Sequence, residues 1–427
     1  MQGIRERFSF MRGNMLVLTV RQILGNFSRR MVMPYASLYV LAVGGESSQI
    51  GVINSLRPLA GLVMFPLSGY LTDRRGRVRL IAMAGYLSAA TMLLYVLAQS
   101  WEWLALGALI QGFMVFQFPP SSAILADSLE PENRGMGIST MSSLAAAFGL
   151  FSPYIAGLIL EFYGTNFGMR VLYGVLLASQ VLNAIIVQRW LRDTTTSVST
   201  DEMPSLVEIL RGTYGALPAL FRQMPRSVKA LGAAVATGFL ANAIASPFWV
   251  VYAVEEIGLS NVDWGLILLL ETISMMVLAI PAGAIADRYG RTRSILFALV
   301  VTMVSLPSYV LARGFFDVLL IRLASSVANV LFMPASTALM ADHVPRELRG
   351  RVMAAIGRGS YMIGATGGGT GGPGMGYLFI IPVMAASISG GVLYTINPAY
   401  PWLCVLVATL VQVILVVLFI RDTISRE

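Results

Sequence analysis

Long apolar runs separated by short charged loops recur from one end of the chain to the other. A helix rises 1.5 Å per residue, so about 20 mostly apolar residues span the hydrocarbon of a bilayer. Six such runs are predicted in the first half, at residues 15–43, 50–71, 78–99, 103–127, 136–162 and 168–190. Six more follow at 230–254, 261–286, 293–312, 314–342, 377–396 and 401–420. The fold class expected is an all-α membrane protein of twelve transmembrane helices. The divisions expected are a bundle over 1–190, a linker over 191–229 and a second bundle over 230–427. The linker holds TTTSVSTDE and then interleaves Leu206, Ile209, Leu210 and Leu217 with arginines. That pattern predicts an amphipathic helix on the membrane face. The segment Gly359–Gly376 contains GATGGGTGGPGMG. Glycine favours irregular backbone, and no Lys-Ser/Thr of a phosphate loop is present, so a flexible connection before the eleventh span is expected.

Composition narrows the class. Of 427 residues only 12% are charged and 56% are hydrophobic, and the mean hydropathy is +0.73. Soluble domains carry about 25% charged residues, so this chain lacks the polar surface a soluble globule needs. The net charge is +8, and Lys229 is the only lysine. Because the charges sit between apolar runs, they suit a lipid surface rather than nucleic acid. Cys404 and His343 are each the only residue of their kind, which excludes an internal disulfide and a multi-His metal site. No metal or other cofactor is expected. Neither paired carboxylates nor a Ser-His set lies within the spans, so an enzyme is not expected. Arginines at Arg74, Arg77, Arg134, Arg192, Arg222, Arg288, Arg291, Arg349 and Arg421 fall on one side of the spans. The positive-inside rule puts that side, and both termini, in the cytoplasm of a multi-pass plasma-membrane protein.

The two halves repeat with an offset of about 214 residues. Gly51 precedes Asp73 by 22, and Gly265 precedes Asp287 by 22. The loops read GYLTDRRGRVR at 69–79 and GAIADRYGRTR at 283–293. ADSLEPENRG at 126–135 matches ADHVPRELRG at 341–350. Parallel repeats of six spans are a transporter architecture with the solute site at the interface of the halves. The loop at 69–79 resembles the signature of the major facilitator superfamily, G-x-L-x-D-R-x-G-R, and 283–293 is its second copy. That resemblance implies two six-helix bundles related by a pseudo-two-fold and solute transport by alternating access. It also implies a gating network of Gly69, Asp73, Arg74, Gly76 and Arg77 with Gly283, Asp287, Arg288, Gly290 and Arg291. Arg134 and Arg349 are candidate partners for its carboxylates across the halves. The proton-linked R-x-x-Q-G pattern of span four is degraded to Ala108-Leu-Ile-Gln111-Gly112. The antiporter pattern of span five survives only as Ser152-Pro153-Tyr-Ile-Ala156-Gly157. Both departures weaken proton-driven drug export.

Charges inside the spans supply the candidate chemistry, since each costs about 2.5–3.5 kcal/mol at mid-bilayer even on insertion scales. In span one, Gln22, Asn26 and Arg30 follow i, i+4 spacing and form a polar stripe. Arg30 is the first candidate for a substrate contact and Arg29 the second. Arg57 in span two and Glu271 in span eight stand six residues after Gly51 and Gly265, and Arg322 lies in span ten. An isolated carboxylate in a low dielectric can exchange a proton, which makes Glu271 the candidate coupling site, or else it pairs with an arginine. Tyr35, Asn242, Trp249 and Asn329 could complete a solute site. Four arginines against one glutamate favour an organic anion. The expected partners are therefore a small anionic solute, protons and the bilayer, with the chain monomeric. An exporter of drugs or amphiphiles is the alternative.

Overall fold

Water is absent from hydrocarbon, so each spanning segment must bond its own backbone. The computed structural model obeys this. It describes residues 11–74, 76–194, 204–344, 347–367 and 375–420, with the side chains of 73, 74 and 287 left out. Eleven of its helical stretches are long and apolar enough to cross a membrane. Span one, set apart by Arg21, Arg29 and Arg30, is the twelfth: Asn14–Val32, a tight turn at Met33–Tyr35, and Ala36–Ala42. Spans two to six are Ser47–Arg74, Arg77–Val96, Trp101–Asp127, Pro131–Tyr163 and Thr165–Trp190. Spans seven to ten are Arg226–Glu256, Asn261–Tyr289, Arg291–Leu311 and Phe315–His343. Tyr400–Phe419 is span twelve.

Proline marks the same bend in each half. Pro34 opens the tight turn of span one, and Pro247 opens the matching turn Ser246–Phe248 in span seven. Neither residue has an N–H to donate, so the helix tightens there and continues.

Span eleven departs from the expected connector-then-helix pattern. It comes in two pieces, Arg349–Ile356 and Tyr377–Ile396. Gly357 and Met375 pair as an isolated antiparallel bridge. A Cβ on Gly376 would overlap the Ala355 carbonyl. The two pieces therefore continue one another across a pinched neck, and the residues between them are an insertion. Span five also breaks, but further along its length, between Arg134–Phe148 and Ser152–Tyr163. The described part of the insertion, up to Gly367, is no surface connector. Tyr361 and Ile363 are buried within the second bundle.

The halves meet tightly at the end far from the two DRxGR loops. Tyr35 is fully buried there, its Oη 2.8 Å from the Pro153 carbonyl oxygen and 3.0 Å from that of Asn261. Its single proton thus serves one carbonyl from each half. Gly265 lets span eight close onto span five, because a Cβ would lie 2.6 Å from the Pro153 carbonyl oxygen. Span eight packs on the Ser152–Tyr163 part of span five at that closed end and parts from the Arg134–Phe148 piece toward the DRxGR end. Val277 and Ile280 are exposed there.

The linker forms two short helices, Leu206–Gly215 and Leu217–Gln223. Ser205 and Glu208 cap the first reciprocally. Ile209 and Leu220 are buried, and the Tyr214 hydroxyl donates to the Leu62 carbonyl at 2.7 Å. The amphipathic segment is thus docked on the bundle as well as facing outward. The TTTSVSTDE stretch lies almost entirely outside the described residues.

Candidate solute site

The polar core of the second half is an ion pair. Arg322 Nε donates to Glu271 Oε2 at 3.0 Å, and Nη2 donates to Oε1 and Oε2 at 2.8 and 2.7 Å. Arg322 is 1% exposed and Glu271 4%. The guanidinium also lies 4.7 Å from the centre of the Trp249 ring, which itself packs edge-on against Tyr309 and Trp402. A planar fork meeting a carboxylate side-on gives this strong geometry. Glu271 is therefore not an isolated carboxylate in this state, and Arg322 is not a free cation.

The remaining C-half candidates meet the inserted segment. Arg322 Nη1 donates to the Gly364 carbonyl at 2.7 Å. Asn242 donates to the Met362 carbonyl. Asn329 donates to the Ile363 carbonyl and accepts from its N–H, both at 2.7 Å. Their hydrogen bonds go to the chain's own backbone. Glycine abundance was the only sequence signal of the insertion, and it could not show that the segment folds inward.

The first half is different. Arg29 is exposed and Arg30 half-buried, although both stand in the middle of span one. Arg29 lies within charge range of Arg57 and of Arg21, and Arg30 within range of Glu271. Arg30 therefore faces the opposite bundle, whereas the charged neighbours of Arg29 both belong to its own. Arg57 lines a cavity of about 50 Å³ together with Ser37, Asn54, Tyr95, Ala108 and Tyr173. Among the described residues no carboxylate forms an ion pair with Arg29, Arg30 or Arg57. Asn26 is placed otherwise: it donates to the Ala145 carbonyl at 2.7 Å and ties span one to span five. Tyr35 is spent at the closed end, as described above. Arg21 bonds Gln117 and Ser121 within its own bundle.

Among the described side chains, the bonds of the candidate gating residues stay within their own halves. Arg77 pairs with Asp127 at 2.5 Å and also donates to Thr194. Arg291 pairs with Asp342 in the same way. Arg134 and Arg349 donate to nearby carbonyls, of Leu129 and Ala341. Gly76 and Gly290 stand at the helix starts after each motif, with Gly290 at φ 93°. Gly69 and Gly283 sit in open space, so close packing does not explain them. Arg288 is exposed beside Tyr289. Asp73, Arg74 and Asp287 lie in described helix, but their side chains fall outside the described set.

Two bundles, a closed end and buried charges at their interface are the features of a membrane carrier, and sequence comparison agrees. The chain matches the family described as Major Facilitator Superfamily over residues 20–222 and 230–426, and it belongs to that family. It is 25% identical over 331 residues to the multidrug resistance protein MdtG of Serratia proteamaculans, covering 75% of this chain and 77% of that protein. The protein of the same name from Salmonella typhi matches at 25% over 331 residues, with 75% and 78% covered. Among solved structures, a bacterial homologue of the iron transporter ferroportin in an inward-facing state superposes with a TM-score of 0.70. It is 15% identical, with 94% of this chain and 97% of that chain covered. The nucleoside transporter NupG superposes at 0.62 with 15% identity, covering 96% and 98%. Both likenesses show the fold. The chain is a multi-pass transporter of small molecules.

Proposed function

We propose that the carrier moves a small amphipathic organic anion by alternating access, with 1–190 and 230–427 as the two rocking bodies and 191–229 as their tether. One observation carries this reading. Among the described residues Arg29, Arg30 and Arg57 have no carboxylate paired to them, and Glu271, which lies within charge range of Arg30, is already matched by Arg322. The net field of the interface is positive, which favours an anion, and arginine forks bind carboxylates and phosphates in two-point fashion. In this reading the arginine-rich DRxGR end faces the cytoplasm of the plasma membrane, and the described state is open inward. Glu271 couples a proton to transport: when it is protonated, Arg322 loses its counter-charge and becomes available to the solute.

The name shared by the relatives favours a second reading, export of drugs or other amphiphiles. The two separate in proteoliposomes loaded with carboxyfluorescein, an aromatic anion, or with ethidium, an aromatic cation. The anion reading expects carboxyfluorescein flux that Arg57→Ala cuts at least about tenfold, as the loss of one charge-assisted hydrogen bond of about 1.5–3 kcal/mol requires. Ethidium flux alone, indifferent to Arg57→Ala, rejects it. Glu271→Gln is expected to abolish flux driven by a pH gradient and to spare counterflow; undiminished gradient-driven flux rejects the coupling role.

A further inference from the structure

We infer that the insertion in span eleven, through Tyr361–Gly367, competes with the solute for the polar groups of the second half and so sets what the carrier accepts. The donors of four side chains end on consecutive stretches of this one backbone. Asn242 reaches the Met362 carbonyl, Asn329 that of Ile363, Arg322 that of Gly364, and Ser246 that of Gly367, the last at 3.2 Å. Asn242 and Ser246 belong to span seven, Asn329 and Arg322 to span ten. A buried donor must be satisfied, and here the chain's own carbonyls satisfy polar groups of spans seven and ten.

The segment also crosses to the other half. Gly367 has φ 74° and sits so close to span one that a Cβ would overlap the Met33 carbonyl. Met33 is one helical turn beyond Arg29 and Arg30. The insertion thus bridges the two bundles beside the unmatched arginines, and a solute lodged between the bundles meets it.

Two features let the segment yield without unfolding span eleven. Its ends are pinched together at Gly357 and Met375, so the helix pieces on either side need not part. A cavity of about 550 Å³ opens at that root, lined by Phe65, Thr213, Met353, Arg358 and Tyr377 among others, and gives displaced backbone somewhere to go. A binding-competent state that is only partly populated weakens apparent affinity by that fraction. Loosening the insertion therefore tightens solute binding. The inference rests on the chain being a carrier and not on the charge of its solute.

The test reads the insertion directly. Cys404→Ser removes the only cysteine, and Ile363→Cys places a thiol at a position that is 1% exposed; the Asn329 bonds to residue 363 use backbone and survive. Labelling of purified protein by a charged maleimide is slow if the insertion stays seated. Ser246→Ala removes one hydrogen bond and adds no bulk, and it is expected to speed labelling roughly fivefold. Gly367→Ala, which drives the segment off span one, is expected to do at least as much. Carboxyfluorescein, or ethidium if that is what the carrier binds, is expected to speed labelling of the Ile363→Cys protein. Ser246→Ala is expected to tighten binding of the same probe, read by anisotropy. The inference is overturned if Ser246→Ala protein that elutes as a folded monomer labels at the unchanged rate. It is equally overturned if the probe protects residue 363, or if faster labelling comes with weaker binding, since the insertion is then a wall of the site and not its rival. Failure of carboxyfluorescein to bind rejects the anion reading above, while the labelling rates still decide the role of the insertion.

Discussion

Breaking the Glu271–Arg322 pair from one side should be far more damaging than removing it whole. Both groups are all but sealed from solvent and share three N–H···O contacts of 2.7 to 3.0 Å. Arg322→Met leaves a buried carboxylate with no donor, and Glu271→Leu leaves a buried guanidinium with only the Gly364 carbonyl and the Trp249 face. Removing one partner of a buried pair costs about 3–5 kcal/mol. In the double variant Glu271→Leu/Arg322→Met, neither charge is desolvated, and such exchanges are neutral or stabilising by about 1–4 kcal/mol. The Gly364 carbonyl loses a donor, which costs about 1 kcal/mol or somewhat more. The double variant should therefore stand within about 2 kcal/mol of the parent, and the coupling from the cycle should exceed about 3 kcal/mol. The assay is the fraction of monodisperse protein surviving a graded denaturant challenge in one detergent, for parent, both singles and the double. A double variant as damaged as the two singles combined refutes the claim that the two side chains are energetically one unit.

Three further outcomes follow from particular contacts. Gly265→Val should prevent closure of the far end, because its side chain would strike the Pro153 carbonyl and the Tyr35 hydroxyl; cross-linking yield between cysteines placed on spans five and eight would show it. Asp127→Asn should change stability by no more than about 1 kcal/mol, since the Arg77–Asp127 pair is 20% and 43% exposed, and a larger loss in denaturant challenge would contradict that. The Ser205 amide and hydroxyl hold the Glu208 carboxyl below its ordinary range. A depressed carboxylate contributes to stability at neutral pH and stops contributing as pH falls through its folded value. Amide exchange over residues 206–209, corrected for the intrinsic rate, should therefore quicken in acid; Ser205→Ala, which keeps the amide donor, should weaken that pH dependence, and Glu208→Gln should remove it.

Much of the fold was legible because bilayers impose simple rules on sequence. All twelve predicted spans match helices in the structure within a few residues, and the duplicated Gly51–Asp73 and Gly265–Asp287 spacing placed spans two and eight in register. What the pattern missed was the helical stub ahead of span eleven. Hydropathy sees only the stretch 377–396, because the stub Arg349–Ile356 is short and carries two arginines. The candidate residues were legible one by one, but their pairings were not. Sequence offers no measure of which side chain Glu271 reaches, and the equivalent position Arg57 was a natural suggestion. Asn26 and Tyr35 read as polar lining, yet helix packing consumes both. A polar group on an interior face bonds a neighbour's backbone as readily as a solute, and periodicity alone does not separate the two.

The repeat explains why the halves differ in charge. An offset of 214 residues carries Arg57 onto Glu271 and Ala108 onto Arg322. In the second half those two positions are in contact, as the ion pair shows. In the first half the equivalent two positions line the same 50 Å³ cavity, with Arg57 on one side and a methyl group on the other. The first half thus has the framework of the second half's pair, with one charge present and its opposite missing. Ala108→Glu should supply it. The new carboxylate extends from span four toward Arg57 as Arg322 extends from span ten toward Glu271, and the cavity offers room for a carboxylate's few atoms. An internal acid in that place competes with any anion for Arg57 at an effective concentration no dissolved solute matches. The expected result is a folded carrier that fails to bind carboxyfluorescein, with binding restored by Ala108→Gln, which fills similar volume without charge. If Ala108→Glu binds the anion as the parent does, Arg57 is not where the solute's charge is read, and the positive field must be assigned to Arg29 and Arg30 alone.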